Sequence, residues 1–168
     1  MKNLFKSLAF VALAATTFTA CNEDACKDVV CGDFGTCNEG VCLCETYYEK
    51  DADGLCSVLE RAKFLGSFVY SEDCQGSTAT NTSTVVAHTE LSQVKFVNLW
   101  GGSIVNGLVG DIAGNEVTIA RQEPDNDGFF FEGTGKIEGG VITLEVNITD
   151  ERDSEDIDTY SCTWTLTK

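Results

Sequence analysis

The sequence predicts a mainly β protein in which a small disulfide-rich module precedes an eight-stranded antiparallel up-and-down barrel. Two observations carry this prediction. Seven of the nine cysteines lie between Cys21 and Cys56, a density typical of small exported domains that are held together by disulfides. From Lys63 to Lys168, apolar and polar residues alternate with a period of two, which indicates strands with one buried face.

The composition limits the kinds of partner. The chain of 168 residues carries 27 Asp and Glu against 11 Lys and Arg, a formal net charge of −16. Such an acidic surface repels the phosphate backbone of DNA and RNA. We therefore expect no nucleic-acid partner, and no sequence motif predicts a cofactor.

The N-terminal residues 1–20 have the organisation of a secretory signal peptide. Lys2 and Lys6 precede an apolar run over residues 8–15, and small or hydroxylated residues follow up to Ala20. The apolar run is too short to span a membrane as a helix. The sequence therefore predicts an exported protein, and export agrees with the high cysteine content.

Cys21 follows this signal directly, after Phe18, Thr19 and Ala20. The arrangement resembles the lipobox of bacterial lipoproteins, which implies a diacylated Cys21 that anchors the chain permanently in a membrane. Residues 21–25 would then form the lipidated N-terminus and a short tether. The acidic Asn-Glu-Asp stretch at 22–24 resembles the export signal of surface lipoproteins of the Bacteroidetes, which implies the outer face of the outer membrane. Ordinary cleavage that leaves a free Cys21 thiol is the alternative.

Residues 26–56 contain six cysteines with intervening gaps of four, five, four, one and eleven residues. Six cysteines permit fifteen pairings, so spacing alone does not choose among them. The order of gaps resembles that of the epidermal growth factor-like (EGF-like) module. This resemblance implies the disulfides Cys26–Cys37, Cys31–Cys42 and Cys44–Cys56.

Metal and catalytic residues are not predicted. Calcium-binding EGF-like modules carry a cluster of oxygen ligands before the first cysteine, but Ala25 occupies one of those positions here. Asp51 and Asp53 precede Gly54 and are expected to form a turn. The single histidine, His88, is predicted to face solvent, and zinc or triad chemistry needs more than one such group.

Residues 57–62 are predicted to form a short connector, and residues 63–168 to form the barrel. Alternation and Gly- or Asp-rich turn signals divide the barrel into eight strands. Their predicted spans are 63–73, 83–90, 92–100, 103–112, 116–122, 128–136, 140–149 and 157–167. Cys74 ends the first strand and Cys162 lies in the last on the inward-facing parity, so we expect a disulfide between them that joins the two strands a barrel must bring together.

The opening Lys63-Phe64-Leu65-Gly66-Ser67-Phe68 resembles the Gly-x-aromatic start of lipocalin-like barrels. The whole layout resembles Bacteroidetes lipoproteins in which an EGF-like module precedes a lipocalin-like β domain. The resemblance implies a barrel that binds a small apolar ligand in its interior. The aromatic residues also have a simpler interpretation, since side chains alone can fill a small barrel. The candidate lining residues are Phe68, Tyr70, Phe96, Trp100, Tyr160 and Trp164.

The function predicted from the sequence is that of a non-enzymatic binding or interaction module, anchored at the bacterial surface and presented on an EGF-like stalk, with an unidentified protein or glycan partner. One alternative is a small-molecule binder that uses the barrel interior. A second is a carbohydrate-active hydrolase with two converging carboxylates. The acidic loop at 150–158 is expected to be a hydrated turn, with contact to a cation or a partner as the alternative.

Overall fold

The structure is a computed structural model that describes residues 25–153 and 155–168. This part of the chain is mainly β, with two short 3₁₀ helices. The predicted signal peptide and the predicted lipidation site, Cys21, lie outside the described residues. Their assignment therefore stays a prediction from the sequence.

The disulfide module, residues 25–59, consists of two small hairpins. Strand β1 (Gly35–Asn38) pairs with β2 (Val41–Cys44), and β3 (Tyr48–Lys50) pairs with β4 (Cys56–Leu59). Such short hairpins are at best marginally stable alone, so covalent links supply much of the stability. The disulfides join Cys26 to Cys37, Cys31 to Cys42 and Cys44 to Cys56, the pairs that the EGF-like resemblance implies.

Asp51 organises the turn between β3 and β4. Its carboxylate accepts hydrogen bonds from the backbone N–H groups of Asp53 and Leu55, at 3.0 and 2.9 Å, and from the Ser57 hydroxyl at 2.5 Å. These bonds, the one from Ser57 above all, lower the pKa of Asp51. The Asp-x-Asp-Gly stretch at residues 51–54 therefore forms a turn, as its sequence predicts.

A 3₁₀ helix spanning Glu60–Phe64 connects the module to the barrel. The prediction that the first strand starts at Lys63 was wrong, because Lys63 and Phe64 belong to this helix and the strand begins at Gly66. Phe64 belongs to the helix and is completely buried. Its apolar side chain contributes to the core from the helix and not from a strand.

Eight strands form a closed antiparallel barrel in which each strand pairs with its neighbours in sequence, and β12 closes on β5. The prediction of an eight-stranded up-and-down barrel is confirmed. The strands are β5 (Gly66–Cys74), β6 (Ser77–Ala87), β7 (Gln93–Val97), β8 (Leu108–Ala113), β9 (Glu116–Gln122), β10 (Phe129–Glu138), β11 (Val141–Asp150) and β12 (Asp158–Thr167).

The second predicted strand, 83–90, begins too late and ends too late. Strand β6 starts at Ser77, but its first six residues, Ser77–Thr82, are exposed on both faces. They pair with β5 alone, since the pairing of β6 with β7 begins at Thr84. A strand without a buried face shows no alternation of apolar and polar residues, so this part was invisible to the pattern.

The third and fourth predicted strands, 92–100 and 103–112, are too long on the sides that face each other. Strand β7 ends at Val97 and β8 begins at Leu108. Residues 98–107, which we name the mouth segment, leave the sheet and contain the second 3₁₀ helix, Trp100–Gly102. Trp100, predicted as a strand residue, lies in this helix.

The barrel interior is filled by aromatic and aliphatic side chains. Trp164, Tyr70, Phe96 and Leu144 are completely buried in one continuous cluster. Strand β10 lies so close to β11 at Gly133 and Gly135 that a Cβ atom on either residue would collide with the β11 backbone. The two glycines allow a small barrel with a side-chain-filled centre to close.

The barrel disulfide joins Cys74 to Cys162, which are direct partners in the β5–β12 register. It closes a span of 88 positions, and loop-closure entropy predicts a stabilisation of about 4 kcal/mol.

We expect the double substitution Cys74→Ser and Cys162→Ser to lower the melting temperature by at least about 10 °C under oxidising conditions. Circular dichroism melting tests this expectation, and an unchanged curve would contradict the role of the bond. Mass analysis should show the disulfides of residues 26–56 intact.

Candidate functional site

The antiparallel order of the strands gives the barrel two different ends. At one end, the base, lie the 3₁₀ helix Glu60–Phe64 and the turns at 88–92, 114–115 and 139–140. At the other end, the mouth, lie the turn at 75–76, the mouth segment, the loop at 123–128 and the described residues of the β11–β12 loop, 151–153 and 155–157.

Polar contacts join the 3₁₀ helix Glu60–Phe64 both to the turns of the base and to the disulfide module. Within the base, Arg61 donates from Nη1 to the carbonyls of His88 and Glu90, at 2.8 and 2.6 Å. Lys63 donates to the Glu49 carboxylate at 2.7 Å and to the Asn115 side chain at 2.9 Å, so it links β3 with the β8–β9 turn. The disulfide module therefore lies against the base, and the mouth is at the opposite end of the barrel.

The mouth contains a cleft of about 410 Å³. Its walls come from four separate parts of the chain: the β5–β6 turn, the mouth segment, the start of β10 and the two strands around the 151–157 loop. The lining residues are Cys74, Gln75, Ser77, Trp100, Phe129, Ile148, Asp150, Arg152, Tyr160 and Cys162. Aromatic rings and the barrel disulfide thus form the apolar walls, and charged groups lie beside them.

Trp100 is held in the mouth in an unusual backbone conformation. Its φ angle is +51°, a left-handed value that bulky residues rarely adopt. Its ring packs edge-on against Phe129 and Phe131, with centroid separations of 4.8 and 5.6 Å. Its backbone N–H donates to the Tyr70 hydroxyl at 3.3 Å. These contacts fix the indole ring as one wall of the cleft.

Tyr70 links Trp100 to a carboxylate on the inner side of β5. The buried hydroxyl of Tyr70 donates to Glu72 and accepts from the Trp100 N–H. Burial, and after it the hydrogen bond to Glu72, raises the pKa of Tyr70 above its ordinary value of 10.0. Tyr70 therefore stays protonated and keeps donating to Glu72.

The remainder of the mouth segment is anchored on both sides of Trp100. Leu99 and Ile104 are buried in the core. The backbone N–H groups of Val105 and Asn106 donate to the Asp125 carboxylate at 2.8 and 2.7 Å. The segment is thus tied to the 123–128 loop, and the cleft is built before any ligand arrives.

Arg152 lies across the rim of the cleft. Its guanidinium group donates to Asp150 from Nε at 2.8 Å and from Nη2 at 2.6 Å, and it stands 4.3 Å from the centre of the Phe129 ring. The hydrogen bonds lower the pKa of Asp150 and raise the pKa of Arg152. The pair is therefore ionised across the physiological pH range.

The structure divides the predicted lining aromatics into two groups. Phe68, Tyr70, Phe96 and Trp164 are at most 2% exposed and fill the interior. Trp100 and Tyr160 are half-buried and line the mouth cleft. The simpler interpretation, a side-chain-filled centre, thus describes the first group, and the space for a ligand lies at the mouth.

Several residues of the cleft were not among the predicted lining residues. Phe129 was left out of that set, and Asp150 and Arg152 were expected to belong to a hydrated turn. The sequence offered two signals: Asp150 and Arg152 carry opposite charges two positions apart, and Phe129 has the inward-facing parity at the start of a strand. Neither signal shows that Arg152 and Phe129 meet.

Trp164 carries an unpaired polar atom. Within the described residues, its indole Nε1 is buried without a hydrogen-bond partner. Trp164 lies opposite Glu72 in the β5–β12 register, and its ring packs edge-on against Tyr70 at 5.9 Å. Unpaired buried donors cost free energy, so this indole N–H lowers the stability of the filled interior.

Other candidate chemistry receives little support. In residues 25–153 and 155–168, no group of three or more His, Cys, Asp or Glu side chains is arranged to hold a metal ion. His88, predicted to face solvent, is half-buried at the base and contacts the Thr89 hydroxyl at 3.2 Å. Two grooves of about 420 and 500 Å³ on the outer face of β9–β12 are lined mostly by Thr, Glu and other polar residues. The described part of the chain has no helix long and apolar enough to cross a membrane.

Comparison with known proteins adds no assignment. No family model matches the chain, and no curated protein matches it. The candidate site therefore rests on its geometry.

Replacing Tyr70 by Phe should loosen the mouth segment. The change removes the acceptor of the Trp100 N–H and the donor to Glu72, and buried groups left unpaired cost about 1–3 kcal/mol. We expect a lower melting temperature and faster hydrogen exchange of the Trp100 amide by NMR. Tyr160→Phe is the matched control, since its hydroxyl makes one exposed 3.3 Å bond to Asp158. Equal effects of the two variants would contradict the role of Tyr70.

Proposed function

We propose that this protein is a non-enzymatic binding protein of the bacterial surface that holds a small ligand in the mouth of its barrel. One observation carries the proposal: an aromatic cleft of about 410 Å³ opens at the mouth, above an interior that is already filled. Small-molecule sites in proteins are commonly apolar clefts of about 300–1,000 Å³ with a few polar groups. The mouth cleft agrees with that description in size and in lining.

The ligand most compatible with the walls has a flat apolar part. Trp100 and Phe129 meet edge-on and leave ring faces and edges for a third aromatic group, an arrangement that favours stacking. The strained backbone of Trp100 supports a role in binding, since such strain is concentrated at ligand sites. The ligand would sit in the mouth and not deep inside the barrel, unlike the ligand implied by the lipocalin-like resemblance.

The disulfide module would act as a stalk. Its EGF-like cysteine order and the contact of Glu49 with Lys63 at the base support a fixed connection. The lipobox-like Cys21 would tether the module to the outer membrane. The mouth lies at the barrel end opposite the module, so an anchored protein would present the cleft away from the membrane.

A hydrolase is less well supported. A glycosidase needs a carboxylic acid that keeps its proton near neutral pH, which requires a raised pKa. The carboxylate that lines the cleft, Asp150, has a lowered pKa because Arg152 donates to it. The protein or glycan partner considered from the sequence stays a prediction, to be sought on the polar outer face.

Binding can be tested with N-phenyl-1-naphthylamine, an apolar dye that is uncharged at neutral pH and becomes fluorescent in apolar surroundings. We expect the full-length chain to bind one dye molecule. Phe129→Ala should weaken binding about tenfold, because an aromatic contact with its buried area is lost.

The matched control is Phe130→Ala. Phe130 is the next residue of β10 and faces outward, under the Arg121 guanidinium. Its removal should leave dye binding unchanged, and thermal melting must show both variants folded. Absence of dye binding to the unsubstituted chain, or equal weakening by both substitutions, would overturn the proposal.

The anchor can be tested separately. Expressed in a bacterium that processes lipoproteins, the chain should fractionate with the outer membrane and release a peptide that carries acylated Cys21. Cys21→Ser should move the protein into the soluble envelope fraction, since the acyl chains supply the membrane affinity. A membrane-bound Cys21→Ser variant would contradict lipid anchoring.

A further inference from the structure

We propose that the ligand of the mouth cleft is an organic cation, a primary amine or guanidinium group carried on a flat apolar body, and that Arg152 occupies the place of this cation until the ligand displaces it. The inference rests on the proposed function and adds the charge of the ligand and an internal competitor.

The first observation is the position of the Arg152 guanidinium. It lies 4.3 Å from the centre of the Phe129 ring, and Phe129 is a wall of the cleft. Cations are attracted to aromatic faces at such distances, and sites for organic cations are built from aromatic rings. Trp100 and Tyr160 line the same cleft. The chain thus places its own cation where an aromatic site would receive one.

The second observation is the partner of that guanidinium. Asp150 accepts two hydrogen bonds from the Arg152 guanidinium and one from the Arg152 backbone N–H. The Asp150 side chain is 15% exposed, whereas that of Arg152 is 60% exposed. The carboxylate is therefore the fixed, inner member of the pair, and the cation is the outer one. If Arg152 turns outward, Asp150 is left to accept hydrogen bonds from the ligand.

Displacement of Arg152 requires little rearrangement. The backbone beside it is held by the Glu151 N–H, which donates to the Gly128 carbonyl at 2.9 Å, so only the side chain has to move. Exposed ion pairs contribute little to stability, because water competes for both partners. A ligand cation in the same place would regain the contacts that Arg152 gives up.

The surrounding charges favour a cation over an anion. Asp127 accepts a hydrogen bond from the backbone N–H of Phe129, and Asp158 accepts one from the Tyr160 hydroxyl. With Asp150, three carboxylates therefore lie around the rim. An anionic ligand would have to approach all three, whereas a cation is attracted by them.

The chain offers a natural comparison on its outer face. There Arg121 lies 3.8 Å from the centre of the Phe130 ring and pairs with Glu151. The arginine, the aromatic ring and the carboxylate are thus combined again outside the mouth cleft. Phe130 does not line the mouth cleft. Arg121 is thus a matched control for the substitution of Arg152.

The test compares three probes that share one ring and differ in charge: phenethylamine, 2-phenylethanol and phenylacetate. Isothermal titration calorimetry on the full-length chain should rank the amine first, about tenfold tighter than the alcohol, and the acid last. Higher salt should weaken the amine alone. Arg152→Gln should tighten amine binding several-fold by removing the competitor, Arg121→Gln should leave it unchanged, and Asp150→Asn should abolish the preference for the amine.

Two results would overturn the inference and leave the proposed function standing. In the first, the three probes bind equally and the naphthylamine dye still binds, so the cleft selects for an apolar ring alone. In the second, phenylacetate binds best and Arg152→Gln removes it, so that Arg152 is an anion receptor. Failure of the dye together with all three probes would overturn both proposals.

Discussion

The rest of the structure depends on the closure of β12 onto β5. A barrel of eight strands needs its first and last strands to pair, and here they lie almost a hundred residues apart in the chain, so closure carries a large entropic cost. The Cys74–Cys162 disulfide offsets this cost at the mouth end of the pairing. Both cysteines also line the cleft. The bond that closes the barrel therefore also forms part of the wall against which a ligand would pack.

Closure of so small a barrel determines where a ligand has room. Gly133 and Gly135 permit the tight curl of β10, and large side chains such as Trp164 and Phe96 then fill the centre. A cleft remains at the mouth, where the mouth segment leaves the sheet. The hydrogen bond from the Trp100 N–H to Tyr70 turns this departure into a defined wall. Core and site are therefore coupled through one buried hydroxyl.

The sequence was sufficient for the fold because its signals are local or covalent. Alternation along β11 and β12 and the cysteine spacing each follow from a few neighbouring residues. The site was only partly predictable. Trp100 and Tyr160 were identified as candidate lining residues. Trp100, however, lies in a turn with a left-handed backbone, which the alternation of apolar and polar residues does not predict. The contact of Arg152 with Phe129 joins a loop to the start of β10, and such a contact depends on the register of the whole barrel. The exposed half of β6 was missed because it has no buried face to impose a pattern.

An open apolar cleft is a liability, since exposed apolar surface promotes unspecific association. Arg152 reduces the exposed apolar surface, because its hydrated guanidinium group lies over the Phe129 ring at the rim of the cleft. A cover of this kind is useful only if the intended ligand can replace it. The least costly replacement is a group with the same charge and the same affinity for an aromatic face, because Asp150 then never loses its counter-ion. The acidic surface, with a net charge of −16, raises the local concentration of such cations. The cover, the carboxylate beneath it and the field of the whole protein therefore favour one chemical class of ligand.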